Sequence, residues 1–345
     1  MRVSHIFRVT PSSLDSEVYR ESLVIDQRLR AELDRILNHS LSEVSWKQAT
    51  LPVSLGGLGL RKCSSISASA FVGARLDVHD LLNNLISSAS DPEFVIPGGC
   101  ETFDRLSSQC NGSIGNNLSN HIQRSLTKLV HSQEATLWKN LLSTSIVGNS
   151  ARDLLRSQLV SRPHSGAWLQ AYPSKVLRLG MQSDVFVNAV LFWLGVNYIP
   201  VDSNCAACKQ LDQFGSLALN CGSHNLFLRR HNLVCNTLAS IGYSARLSIG
   251  REHSFQGVKS ADVLFRDFDF GRRRDLAVDV TIRNPFRMSN GGLGVAEAAE
   301  ALKVSKHGGS GEQLNVGFVG SGMDTFGGWG RSASTLLGLL ARNCI

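Results

Sequence analysis

The spacing of apolar residues divides the first part of the chain into helices and loops. Between 12 and 41 they recur at three- and four-residue steps among Asp, Glu and Arg, which predicts an amphipathic helix. The segment 45–62 contains Pro52 and three glycines, which predicts a structured loop. Helical spacing returns over 64–86, and the Gly-, Ser- and Asn-rich stretch 97–117 predicts a surface connector.

The pattern changes from helical to mixed along the second part of the chain. A second helical block covers 118–160, a turn-rich junction covers 161–173, and FVNAVLFWLGV at 186–196 predicts a buried helix. After Pro200 short apolar runs typical of strands alternate with helical segments. The predicted elements are a helix at 226–241, strands ADVLF (261–265) and LAVDVTI (276–282), a helix at 295–306 and a strand at 315–320.

Composition indicates a folded protein with an anionic partner. With 345 residues, 43% hydrophobic and 18% charged, the chain can bury a core and is unlike a disordered sequence. Its net charge of +7 and pI near 9.1 favour nucleic acid as the partner. We find no apolar run of the roughly 20 residues that a membrane span needs, and no secretory signal pattern. Eight cysteines without such a signal indicate a reducing, intracellular compartment.

A cysteine cluster follows Pro200 and predicts a zinc site. Two donor pairs, each with a two-residue gap, are separated by twelve residues, a spacing that suits tetrahedral zinc. The four candidate ligands are Cys205, Cys208, Cys221 and His224. The alternative is that these cysteines are ordinary core residues. His231 and Cys235 form a spare donor pair on the next predicted helix, so the fourth ligand stays open.

Two aspartates interrupt the two apolar strands. Asp262 precedes VLF, and Asp279 lies inside LAVDVTI, where an unpaired carboxylate would cost several kcal/mol. Two carboxylates converging from adjacent strands make an oxygen site for Mg²⁺, which can activate water against a phosphodiester. Alternatively, both are edge-strand aspartates bonded to the arginines of the intervening turn. Those arginines are Arg272, Arg273 and Arg274.

The predicted helix at 295–306 carries charged residues at three-residue steps, so they line one face. They are Glu297, Glu300, Lys303 and Lys306. One interpretation is that a lysine reaches the carboxylate pair and polarises water or holds a phosphate. The other is a solvated face of Glu–Lys pairs.

Four segments, in order, resemble the region that follows the polymerase core in reverse transcriptases of non-long-terminal-repeat retrotransposons. The first is SWKQATLPVSLGGLGLRKCSSISASAFVGA (45–74), and the second is GAWLQAYPS (166–174). The third is the cysteine cluster with RRHN (229–232). The fourth is ADVLF…LAVDVTIRNPF with its following helix and FGGWG (326–330).

The resemblance implies a restriction-enzyme-like nuclease core of the PD-(D/E)xK type. Asp262 falls on the first metal-binding aspartate of that family and Asp279 on the second. Thr281 stands where a lysine is usual, so the helix would supply Lys306, slightly preferred, or Lys303. Its nucleic-acid contacts would come from Arg229, Arg230 and the arginine turn at 272–274.

The same resemblance gives an α+β domain organisation. It implies a helical, polymerase-thumb-like region at 1–160, a helical connector at 161–200, a zinc knuckle at 201–225 and an α/β nuclease-like domain at 226–345. We therefore expect zinc and Mg²⁺ as cofactors, DNA and secondarily RNA as partners, no membrane association, and a nuclear site of action.

Two departures from the family define a competing prediction. Ser216 and Leu217 occupy the region where relatives place a zinc-binding histidine, and the sequence has no two-aspartate polymerase motif. The chain is therefore expected not to copy RNA by itself and to be a remnant or fragment of a longer polyprotein. Its function is either Mg²⁺-dependent DNA nicking or, as an inactive remnant, at most nucleic-acid binding.

Overall fold

The computed structural model forms two compact units, which we call the helical unit and the sheet unit. The helical unit comprises 1–154 and 182–194, and the sheet unit comprises 155–181 and 195–345. The boundary at 154 falls within one helix, and the predicted connector 161–200 is divided between the units. The residues described are 3–86, 99–111, 122–144, 150–174, 180–201, 203–205, 209–221, 225–255, 258–268, 275–287, 292–313 and 316–343.

The helices of the first part of the chain largely follow the apolar pattern. They are α1 (Val3–Val9), α2 (Glu17–Leu37), α3 (Glu43–Ala49), α4 (Cys63–Ile86), α5 (Gly99–Gln109), α6 (Ile122–Thr144), α7 (Ser150–Val160), α8 (Ala167–Gln170) and α9 (Ser183–Leu194). The predicted helices at 12–41, 64–86 and 186–196 are confirmed as α2, α4 and α9. The predicted block 118–160 contains two helices, α6 and α7.

Two loop predictions were wrong in part. The start of the segment 45–62 belongs to α3, because Ser42 caps that helix by accepting from the Ser45 backbone N–H. The connector predicted at 97–117 contains α5, whose Thr102 and Leu106 are fully buried. The many Gly, Ser and Asn residues of this segment obscured the helical spacing of its few apolar residues, so the sequence did not predict α5. Residues 112–117 of that connector lie outside the described residues.

Close backbone packing explains the glycines of LGGLGL in the helical unit. A Cβ at Gly57 would overlap the Leu51 carbonyl, so only glycine fits there. The carbonyl of Gly56 accepts hydrogen bonds from Gln48 Nε2 and Trp193 Nε1, both at 2.9 Å. The loop is therefore held between α3 and α9.

The sheet unit is built on a four-stranded mixed sheet with helices. Its strands are β1 (Asn204–Cys205), β2 (Lys209–Gln210), β3 (Ser248–Phe255), β4 (Val258–Arg266), β5 (Asp275–Arg283) and β6 (Val316–Asp324). The main sheet has the order β3-β4-β5-β6, antiparallel except for the parallel pair β5–β6. Its helices after β2 are α10 (Leu226–Ser244), α11 (Val295–Gln313), which connects the parallel strands, and α12 (Arg331–Asn343).

The two faces of this sheet contact different helices. Val263 and Val278 belong to an apolar cluster with Leu238 of α10 and Leu340 of α12. On β6, Gly320 approaches the backbone of α11, where any larger residue would collide with it. The site described below lies where α10 and α11 meet the β4–β5 hairpin.

The α+β class is confirmed. The predicted strands at 261–265, 276–282 and 315–320 correspond to β4, β5 and β6, while β3 was not predicted. Among the described residues, the helices are all too short or too polar to cross a membrane.

Candidate active site

The two aspartates lie side by side where the β4–β5 ladder ends. The ladder runs from Phe265–Leu276 to Val263–Val278, and the next residue on each strand is an aspartate. Both Asp262 and Asp279 are 6% exposed. Asp262 Oδ2 accepts a hydrogen bond from the Val280 backbone N–H at 2.8 Å, so this carboxylate satisfies a donor beyond the last ladder pair.

Asp262 also contacts a histidine of α10. His231 Nε2 lies 3.0 Å from Asp262 Oδ2. One helical turn later, the Cys235 sulfur lies 3.8 Å from both ring nitrogens of His231. The sequence suggests His231 and Cys235 as spare zinc donors, and the structure places both residues near Asp262.

Asp279 contacts the opposite helix, α11. Lys303 Nζ lies 2.9 Å from each of its carboxylate oxygens, and His307 Nε2 lies 3.8 Å from Oδ2. His307 is buried, and its ring also lies against Phe318 of β6. Helical spacing of four residues brings Lys303 and His307 to the same side of α11.

One cavity of about 580 Å³ is lined by Asp262, Asp279, His231, Lys303 and His307. Its wall combines cationic, apolar and β-strand positions from α10, β4, β5 and α11. Besides the residues above, it includes Phe227, Leu228, Arg230, Thr281, Arg283 and Lys306. Carboxylates and basic side chains thus line the same cavity. Such a cavity fits an anionic ligand that a bound cation connects to the carboxylates.

Burial and partners set the charges in the cavity. Burial raises the pKa of Asp262, but hydrogen bonds from His231 and the Val280 N–H outweigh it and hold the pKa below the usual value. The hydrogen bond to Asp262 raises the pKa of His231 to about 10. For Asp279, burial and the neighbouring carboxylate raise the pKa against the opposing effect of Lys303. A proton on His231 and the Lys303 ammonium thus balance the two carboxylates.

The predicted basic residues fall into three groups. Of the two lysines on α11, Lys303 contacts Asp279, and Lys306 lines the cavity one turn further on. Arg230 also lines the cavity and donates to the Leu219 carbonyl, while Arg229 is exposed beside it. Arg272, Arg273 and Arg274 lie outside the described residues.

The two glutamates of the predicted charged face have structural contacts. Glu300 is buried, and its carboxylate accepts from the backbone N–H groups of Ser332 and Ala333 at 3.1 and 2.9 Å. It therefore caps the N-terminus of α12. Glu297 pairs with Arg162 at 2.5 Å. The alternative prediction of a solvated face of Glu–Lys pairs is wrong for Glu300 and Lys303, because both side chains are directed into the protein.

An ion-pair network joins Arg162, which precedes GAWLQAYPS, to the FGGWG turn within the sheet unit. Arg162, just before the first motif, contacts Asp324 Oδ2 at 3.2 Å and the Trp329 carbonyl at 3.2 Å. Asp324 also accepts from the Phe326 and Gly328 N–H groups. The segment that precedes GAWLQAYPS is therefore attached to the FGGWG turn.

The cysteine cluster is described in part. The sulfurs of Cys205 and Cys221 lie 3.4 Å apart. That exceeds a disulfide bond length of about 2.05 Å and is close to the roughly 3.8 Å edge of a tetrahedral zinc–thiolate site. Cys208 and His224 lie outside the described residues.

Sequence reasoning missed the roles of His231 and His307. RRHN was noted as a motif, but a histidine on a helix carries no signal of the strand residue that it will face.

Comparison of the chain with protein-family models gave no match, and comparison with curated proteins gave none either.

Proposed function

We propose that the sheet unit is a Mg²⁺-dependent DNA endonuclease domain of the retrotransposon type that the motifs resemble. The observation that supports it best is the joint placement of Asp262, Asp279 and Lys303 around one cavity. The chain would be part of a retrotransposon polyprotein and would act on DNA in the nucleus.

The donor set fits a hard divalent cation. Two adjacent, nearly buried carboxylates provide the oxygen ligands that Mg²⁺ prefers, and water and substrate phosphate supply the rest. Asp262 and Asp279 would hold the ion, which when bound activates water and neutralises charge on the phosphate.

The other residues of the cavity bind and orient the substrate. Lys303 opposes the rise in the pKa of Asp279 and presents a positive charge at the cavity wall, where it stabilises developing charge on the phosphate. Arg230 and Arg283 line the same cavity and provide further phosphate contacts. Phe227, which lines the cavity and is 53% exposed, offers a face for an unstacked base.

A nicking assay on supercoiled plasmid with Mg²⁺ tests this function. We expect the purified chain to convert the plasmid to the open circular form, and Asp262→Asn and Asp279→Asn each to lower the rate at least about 100-fold. Asp275→Asn is the matched control, because Asp275 lies at the start of the same strand and bonds the Asp267 N–H. That variant should retain the wild-type rate.

Failure to nick under these conditions would contradict the nuclease proposal. Cleavage that survives Asp279→Asn would do the same, because it would come from another site or a contaminant. Duplex binding without cleavage would favour the alternative of an inactive remnant that binds nucleic acid.

We further propose a structural zinc site at the cysteine cluster, supported by the proximity of Cys205 and Cys221. Elemental analysis of the purified chain should give zinc that is lost in Cys205→Ser. Zinc content unchanged by that substitution would contradict this site.

A further inference from the structure

The His231–Cys235 pair on α10 supplies no ligand to the proposed Mg²⁺ site. Residues four apart on a helix project from the same side, and pairs of donors at this spacing bind zinc in helical sites. Here both donors face Asp262, which lies on the adjacent strand β4. Three chemically different donors therefore converge from two elements.

Their distances suit one ion. His231 Nε2 lies 3.0 Å from Asp262 Oδ2 and 3.8 Å from Cys235 Sγ, and the ligand atoms of all three residues lie within 4.8 Å of one another. Zinc bonds of about 2.0 Å to nitrogen and oxygen and 2.3 Å to sulfur give tetrahedral edges of about 3.3–3.6 Å. Small side-chain movements would bring the three donors to these edges.

We propose that His231, Cys235 and Asp262 form a second metal site for a borderline-soft divalent ion of the zinc class. Imidazole and thiolate favour such an ion, whereas Mg²⁺ prefers an all-oxygen site. On binding, the thiol of Cys235 and the imidazolium of His231 each release a proton, and the ion takes the place of the proton between Nε2 and Oδ2.

The two metal sites share Asp262, so they exclude each other. An ion on the α10 side draws Asp262 towards His231 and Cys235 and away from Asp279. Zinc at micromolar concentrations would thus inhibit the proposed Mg²⁺ chemistry, and only this consequence rests on the proposed function. The binding itself does not depend on cleavage.

Zinc titration of the full chain against a chromophoric chelator tests the site. We expect the wild type to bind one more zinc equivalent than Cys235→Val or His231→Gln, or to bind that equivalent at least tenfold more tightly. Valine preserves the apolar volume of Cys235, which is fully buried, and circular dichroism checks the fold of each variant. Cys100→Ser, which replaces an exposed cysteine, is the control and should bind as the wild type does.

Cobalt gives a second readout that a purely structural role would not produce. In the zinc-free chain, Co²⁺ should give thiolate-to-cobalt absorption bands, and the band intensity should be lower in Cys235→Val by the contribution of this site. Equal zinc stoichiometry and affinity in wild type, Cys235→Val and His231→Gln would overturn the site, as would a cobalt band of equal intensity in wild type and Cys235→Val.

Competition with Mg²⁺ tests the sharing of Asp262. Added Mg²⁺ should weaken zinc binding in the wild type but not in Asp279→Asn, which retains all three zinc donors. Zinc affinity independent of Mg²⁺ in the wild type would overturn mutual exclusion. Since neither measurement uses DNA, a chain that binds zinc here but does not nick would separate this inference from the proposed nuclease.

Discussion

The carboxylate pair is stabilised by one cationic partner from each flanking helix. Asp262 has His231 from α10, and Asp279 has Lys303 from α11. Neither partner is near its aspartate in sequence. The apolar strands tolerate two buried charges because each is paired and hydrogen-bonded.

The two lysines of α11 should differ in their contribution to catalysis. We expect Lys303→Met to lower the nicking rate about 100-fold, because it removes the ammonium that lies 2.9 Å from Asp279. Lys306→Met should lower it less than tenfold, since Lys306 lines only the cavity wall. Rates measured at saturating Mg²⁺ check this, and a larger loss in Lys306→Met would transfer the role to that lysine.

Two glycines near the C-terminus provide an opposed pair of stability tests. A Cβ at Gly330 would overlap the Glu300 carboxylate, so Gly330→Ala should destabilise the protein by about 1–3 kcal/mol. Gly338 lies within α12 with open space around it, so Gly338→Ala should stabilise by about 0.5–1 kcal/mol. Urea denaturation measures both, and shifts of the same sign would contradict this packing.

His131 of α6 should make the protein sensitive to mild acid. Burial lowers its pKa, so the unfolded chain takes up a proton near pH 6.5 before the folded chain does. Stability should therefore fall as pH drops through that value. We expect His131→Gln to show a smaller loss in urea midpoint between pH 7.5 and 5.5, with His39→Gln as the histidine control. An equal loss in wild type and His131→Gln would exclude this origin.

At the scale of elements, α12 and the FGGWG turn depend on acidic residues that lie elsewhere in the sheet unit. Glu300 of α11 caps α12, and Asp324 at the end of β6 binds the turn and Arg162. These contacts attach the segment around 162 to the end of the sheet. Arg162 is thus linked by charge to a turn more than 160 residues away in sequence.

Arg162 should be among the most sensitive positions of the sheet unit. Arg162→Met leaves Asp324, which is 1% exposed, without its cation, and breaking such a buried pair costs about 3–5 kcal/mol. Arg35→Met breaks the exposed pair with Glu32 and should cost less than about 1 kcal/mol. Thermal denaturation of both variants checks the difference, and similar costs would contradict the role of burial.

The sequence predicts elements whose apolar pattern is regular. Strands β4 and β5 are recognisable because each contains a short apolar run between polar segments, and helices α2 and α4 because apolar or small residues recur in them at helical spacing. Strand β3 was missed because SIGREHSF alternates weakly, and α5 because small polar residues surround its few apolar ones.

The candidate site was predictable to a lesser extent. Carboxylates inside apolar strands stand out, so the sequence identified Asp262 and Asp279. Lys303 rather than Lys306 contacts Asp279 because of the way α11 packs on β6. In the same way, the contact of His231 with Asp262 depends on how α10 packs on the sheet. The packing of a helix on a sheet depends on distant residues, so no pattern in the local sequence predicts these contacts.

For the whole molecule, the net charge of +7 bears on how it would meet a polyanion. Duplex binding should weaken with salt, and about three phosphate contacts would lower the affinity roughly 40-fold between 50 and 200 mM salt. Fluorescence anisotropy with a labelled duplex measures this slope. A slope near zero would contradict electrostatic binding to the phosphate backbone.

The packing of FGGWG has a consequence for how descendants of this sequence would diverge. Side chains at Gly328 and Gly330 are excluded by contacts with Asp324 and Glu300, neither of which lies in the cavity. Under the proposed nuclease function, a copy released from selection for cleavage could lose Lys303 early and still keep these glycines for as long as it folds. FGGWG would then mark ancestry, while the lysine of α11 would record how recently the copy had been under selection to cut DNA.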